Sequence, residues 1–187
     1  MRQLFLLSLI VTLLVSCNKK GTNENLFVNE VKSLNSCNKR EIFLRDILER
    51  DQQVRSRVGE MKAKYGHNSE EKQLALELMN LIDEENRQKI ALFLDEYGYP
   101  TSSCHTENTT DVPILVIHHS GSTDLMRSYF TVFYEAYLKG DIRESMMSLY
   151  LERIHIIENG FHFTMPSPYK SQDKIDTLIS ILEVRKS

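Results

Sequence analysis

Tryptophan is absent from this 187-residue chain, and proline occurs 4 times, glycine 7 times and cysteine 3 times. So little Gly and Pro excludes collagen-like and low-complexity chains, and a 41% hydrophobic content excludes a mostly disordered one. A basic surplus is missing too: 23 Lys and Arg stand against 26 Asp and Glu, for a formal net charge of −3. With only 9% aromatic residues, the chain supplies neither the basic footprint nor the stacking platforms of a nucleic-acid binder, and no nucleic-acid partner is expected. The length suits one domain with a sizeable core.

What is present begins with an address. Met1-Arg2-Gln3 is a short positive start, and Leu4 to Leu14 is an almost unbroken apolar run. The run falls short of the roughly 20 residues a membrane-crossing helix needs and fits the apolar region of a secretory signal. Leu14-Val15-Ser16-Cys17 follows it and resembles the bacterial lipobox, in which the cysteine is acylated and becomes the mature N-terminus. The expected organisation is a lipoprotein signal peptide over 1–16, a lipidated tether over 17–36 and a helical domain over 37–187. Acyl chains on Cys17, palmitate among them, would be the partner that meets the membrane. Asn18, not aspartate, follows that cysteine, which by analogy with sorting in some Gram-negative cells points to the outer membrane of a bacterial, periplasm-containing envelope.

Spacing and caps predict an all-α, single-domain bundle of about six helices. Asn38 with Glu41 reads as a helix start, with an end near Tyr65 before Gly66. Ser69 with Lys72 opens the next helix, Asp83 is a candidate re-cap within it, and Gly98 closes it. Residues 101–111 read as a polar loop. Val112 to His119 reads as a helix behind Asp111 and Pro113. Helices are expected over 123–138, 141–158 and 172–184, the first two ending at Gly140 and Gly160.

Wound at 100° per residue, three apolar faces are interrupted by polar residues. Asp51 falls inside the stripe Phe43, Ile47, Val54, Val58, with Arg55 at its edge. Asn86 sits among Met79, Ile82, Ile90 and Phe93. Arg153 lies near the centre of the face drawn through Ile142, Met146, Leu149, Tyr150 and Ile157. Buried polar groups are costly unless paired, so these three are expected to meet one another or a ligand. Two arrangements stay open: a structural Asp51–Arg153 ion pair completed by Asn86, or a ligand or catalytic pocket.

A resemblance adds a fifth residue. Asp51-Gln52-x-x-Arg55, Asp83-x-x-Asn86, Tyr97-Gly98-Tyr99-Pro100-Thr101, His118-His119 and Leu151-Glu152-Arg153 occur in the order of an uncharacterised family of bacterial domains, many of them lipoproteins. That family is similar in showing Asp-Gln-x-x-Arg, Gly-Trp-Pro, Gln-His and Asp-Arg. Here Tyr99, His118 and Glu152 replace its Trp, Gln and Asp, and Phe161 to Thr164 depart from its Gln/Tyr/Gly/Thr pattern. The resemblance implies no established chemistry, but it picks out Asp51, Arg55, Asn86, His119 and Arg153 as the shared polar site.

The six histidines are His67, His105, His118, His119, His155 and His162, and none has a zinc-type spacing. Glu152 and His155 form one pair of the kind of which a di-iron bundle needs two. No metal or cofactor is therefore expected, and no Gly-rich loop is present to cradle phosphate. Cys37 and Cys104 lie in polar, turn-like segments and are either a disulfide or two free thiols. Two functional classes remain. One is an envelope module binding a protein or small ligand; the other is a hydrolase-like enzyme using His119 and Asp51, with the arginines, on an anionic substrate.

Overall fold

The computed structural model describes residues 25–184, and every regular element among them is helical. The expected signal peptide over 1–16, the expected lipidation site Cys17 and the first part of the expected tether lie outside the described residues. The second part does not behave as a tether. Residues 25–32 are helical, Val31 and Leu34 are buried, and Tyr97 donates its hydroxyl to the Val31 carbonyl at 2.9 Å. The packed body thus begins before residue 37, because Val31 and Leu34 complete an apolar face that the polar residues around them disguise.

Helix α1, Cys37–Tyr65, starts at Ser36, whose hydroxyl accepts from the Lys39 amide. It turns at Gly66, with φ of 97°, into α2, Glu70–Tyr97, which Ser69 caps in the same way. The two form an antiparallel hairpin. Phe43 stacks on Phe93 at 5.9 Å, and Arg50 grips the Glu85 carboxylate with two hydrogen bonds of 2.7 and 3.0 Å. α2 runs through residue 83 without a break, so Asp83 is not a re-cap; its side chain faces α1 instead. Burial along the hairpin is uneven: between Val54 and Asp83 only Ala75 is buried, and the outer half of the hairpin stands clear of the body.

The segment after Gly98, expected to be loop throughout, contains the short helix α3, Glu107–Thr110. Thr109 and Thr106 hold it to α1 through the Glu41 carboxylate, at 2.5 and 2.9 Å. α4, Val112–His118, has Pro113 in its first turn, where a missing N–H costs nothing. Its Val112, Pro113, Ile114, Val116 and Ile117 are all buried, and it touches α1, α2 and the two helices that follow it in the chain. α4 is the axle of the bundle. A helix apolar nearly all round must be wrapped by others.

α5, Thr123–Leu138, α6, Glu144–Asn159, and α7, Ser171–Leu182, complete the body. Phe133 of α5 packs edge-on against Tyr150 of α6 and Tyr99, and the Tyr150 hydroxyl donates to the Met126 carbonyl. Arg127 ties α5 to α6 through Glu158 and to the end of α7 through the Leu182 carbonyl at 2.9 Å. α6 starts at 144, three residues later than its apolar pattern suggested. Its buried face is Met147, Tyr150, Leu151, Ile154 and His155. Leu149 and Ile157, placed on that face by periodicity, are exposed. The helix is rotated from the expected orientation, and Arg153 moves with it off the buried face to a half-buried position. No helix among the described residues is long and apolar enough to cross a membrane.

Candidate functional site

The polar residues gather where the α1–α2 hairpin meets the C-terminal end of α4. Asp51 is 1% exposed, yet its carboxylate is fully engaged. Arg55, one turn along α1, donates through Nε and Nη2 at 2.8–3.2 Å, Gln52 donates at 2.9 Å, and His119 Nδ1 lies 3.1 Å away. Arg55 also reaches across the hairpin to Asp83 at 2.8 Å, so one guanidinium bridges two carboxylates. Burial pushes the Asp51 carboxyl up, but the hydrogen bonds and charges of His119 and Arg55 outweigh it and hold the group at about 2.

His119 follows α4, and its ring meets that of His118 edge-on at 5.5 Å. His118 belongs to a different environment from its neighbour. Burial, followed by the charges of His119, Arg153 and Arg55, pushes it down to about 4, so it is neutral at neutral pH. Its Nδ1 is buried without a hydrogen-bond partner. Beyond it opens a cavity of about 240 Å³ lined by His118, Leu149, Glu152, Arg153, Ile156 and His162. Glu152 is neutralised there by Lys174 at 2.8 Å and lies 3.4 Å from His162. Arg153 makes no salt bridge among the described residues, and its Nε is buried without a partner.

Asp51, Arg55 and His119 are therefore joined by direct bonds. The Asp51–Arg153 ion pair is not formed: Arg55 and His119 occupy the carboxylate, and the rotation of α6 carries Arg153 to the cavity that His118 lines. The register set by Phe43–Phe93 and Arg55–Asp83 places Asn86 level with Asp51. Asn86 is 0% exposed, and neither its Oδ1 nor its Nδ2 has a hydrogen-bond partner, so it does not complete an ion-pair network.

Several members lie outside the expected set, among them Gln52, Glu152, Asp83 and His118. Asp83 was legible in principle, since Met79, Asp83, Asn86 and Ile90 follow one face at spacings of four, three and four. His118 carried no such signal, because two adjacent residues on a helix apolar nearly all round cannot be ranked by periodicity. Cys37 and Cys104 are bonded, with Cα atoms 5.3 Å apart. Among the described residues no group of three or more His, Cys, Asp or Glu side chains is placed to hold a metal ion.

No family model, curated protein or solved structure matches this chain.

Proposed function

We propose that the chain is a lipid-anchored protein of the bacterial cell envelope whose helical domain binds a small anionic ligand in the cavity between α4 and α6. One observation carries this: a guanidinium without an ion pair, Arg153, lines an open cavity beside a buried, unpartnered imidazole nitrogen, His118 Nδ1. A guanidinium whose charge is not already neutralised favours an anion, and the Leu149 and Ile156 walls favour an apolar body attached to it. A small carboxylate with a short alkyl chain meets both conditions. Titration of the labelled protein with acetate, butyrate and hexanoate, read by NMR, should give saturable shifts at His118, Arg153 and Ile156 that strengthen with chain length. Arg153→Ala should abolish them. Shifts that are absent, or that survive in the Arg153→Ala protein, refute the assignment.

Anchoring at Cys17 rests on the lipobox-like Leu14-Val15-Ser16-Cys17, and the Cys37–Cys104 disulfide supports an oxidising compartment outside the cytoplasm. The proposed site of residence is the outer membrane. Mass spectrometry of the mature N-terminus decides the anchor: an unmodified Cys17, or a start elsewhere, overturns it.

The hydrolase-like alternative is favoured by one contact, Asp51 to His119 Nδ1. A carboxylate on that nitrogen fixes the tautomer whose Nε2 is basic, as a general base requires. Turnover of nitrophenyl butyrate that is lost in both Asp51→Asn and His119→Asn proteins would support it. No rate above that of water would dismiss it.

A further inference from the structure

The Cys37–Cys104 disulfide lies away from the histidine cluster, and its surroundings differ from those of an inert crosslink. Cys37 is exposed and occupies the first helical position of α1. Arg40, one turn on, directs one guanidinium nitrogen at both sulfurs, 3.5 Å from Cys37 Sγ and 3.4 Å from Cys104 Sγ. That guanidinium is held in place by the Tyr97 ring, 5.0 Å below it. A separate cavity of about 120 Å³ opens on Cys104 and is lined by Arg40, Tyr97, Thr101 and His105 among others. His105 Nε2 is buried there without a partner.

A disulfide sulfur is a weak hydrogen-bond acceptor, so the oxidised form gains little from Arg40. A thiolate gains much more, because the guanidinium then faces a full negative charge at contact distance. At Cys37 the helix N-terminus acts in the same direction. Both effects stabilise the leaving group of an exchange reaction and the reduced product. We infer that Cys37–Cys104 is a thiol–disulfide exchange site, serving a dithiol reductant, with Arg40 as the residue that stabilises its thiolates.

The first thiolate of the dithiol attacks the Sγ of the exposed residue Cys37. A bond forms between the incoming sulfur and Cys37 Sγ as the bond to Cys104 Sγ breaks, and the electron pair leaves on Cys104 Sγ beside Arg40. The second thiolate of the dithiol then attacks its own partner sulfur in the mixed disulfide. This closes the reductant's disulfide and releases Cys37 as a thiolate. Two electrons pass from dithiol to protein, and the protons shed by the dithiol go to His105 Nε2 or to water. Among the neighbouring charges, Glu41 is occupied by Thr106 and Thr109, leaving Arg40 as the cation in contact with the sulfurs.

The test equilibrates the full chain with mixtures of reduced and oxidised dithiothreitol at pH 7, then traps free thiols by alkylation and counts them by mass. Far-UV circular dichroism, recorded alongside, follows the fold. Wild-type protein should be reduced reversibly with its helical signal intact. Arg40→Gln should need at least a tenfold higher ratio of reduced to oxidised dithiothreitol for half reduction, and Arg40→Lys, which keeps the charge, should stay near wild type. Equal midpoints for wild type and Arg40→Gln overturn the inference. So does reduction that proceeds only at the rate of global unfolding, which would mark the disulfide as a purely structural crosslink.

Discussion

Replacing Asp51 by Asn is the sharpest probe of the buried cluster. The substitution keeps the size of the side chain but removes its charge, and it turns an amide N–H₂ toward the guanidinium or imidazole donors that the carboxylate had served. Its cost can be reached by two routes. The Asp51 carboxyl is held at about 2 against an ordinary 3.8. At 1.36 kcal/mol per pH unit, that gap corresponds to about 2 kcal/mol of stability at neutral pH. From the other side, removing one member of a buried ion pair costs about 3–5 kcal/mol by stranding its partner. Arg55 is not wholly stranded here, because Asp83 remains 2.8 Å away, which moves the expectation to the low end. We expect Asp51→Asn to lose about 2–3 kcal/mol in urea unfolding followed by circular dichroism at pH 7. Arg55→Met should lose more, since it leaves both Asp51 and Asp83 without their cation. The double mutant should fall short of the sum by about 1–3 kcal/mol. The pH dependence supplies an independent check. The folded value of Asp51 is the lower one, so its contribution is complete above pH 3.8 and disappears as the pH falls to about 2. Asp51→Asn should lack that part of the acid transition. A loss under about 1 kcal/mol at pH 7, or an unchanged acid limb, refutes the account of the cluster.

The remaining expectations are briefer. His118 is held at about 4, below its ordinary 6.5, so wild-type stability should decline as pH falls from 6.5 through 4; His118→Phe should flatten that slope in the same urea assay. Replacing both Cys37 and Cys104 by Ser opens a crosslink between residues 67 apart, which the chain-entropy relation values at about 4 kcal/mol, measurable as a lower urea midpoint. Phe133→Ala should cost about 3–5 kcal/mol and lower Tm, because a fully buried ring between Tyr99, Tyr129 and Tyr150 leaves a cavity that three aromatic neighbours cannot easily fill.

Caps and apolar periodicity were enough to find the two long helices, although Ser36, not Asn38, caps the first, and Asn38 lies within its first turn. Ser69, Gly66 and Gly98 mark ends that lie where local chemistry puts them, since a helix must satisfy its terminal N–H and carbonyl groups whatever it later packs against. The cluster was legible in part for a related reason. Asp51 and Asn86 sit on faces whose burial is fixed by neighbours on the same helix. Arg153 was misplaced because α6 has apolar residues on more than one side, so periodicity admits two rotations, and packing against α5 and α7 selects the one that exposes Leu149 and Ile157. Residues 25–34 were misread from composition, where a few apolar side chains among many polar ones can still dock onto an existing surface. Partner choice across the bundle, such as Arg55 with Asp83, depends on hairpin register. The local pattern leaves register open until the two helices meet.

The uneven burial of the hairpin has a mechanical consequence. From Arg55 to Tyr65, α1 extends about 15 Å beyond the last buried residue of its inner half, at 1.5 Å per residue, and α2 returns alongside it. Such a projection is a lever whose fulcrum is the Arg55 bridge to Asp51 and Asp83. A sideways load at the Gly66 tip would be resisted chiefly by the contacts at its base, and tilting α1 against α2 would pull first on that guanidinium. Torque at the tip would thus arrive at Asp51, the carboxylate that holds His119 Nδ1.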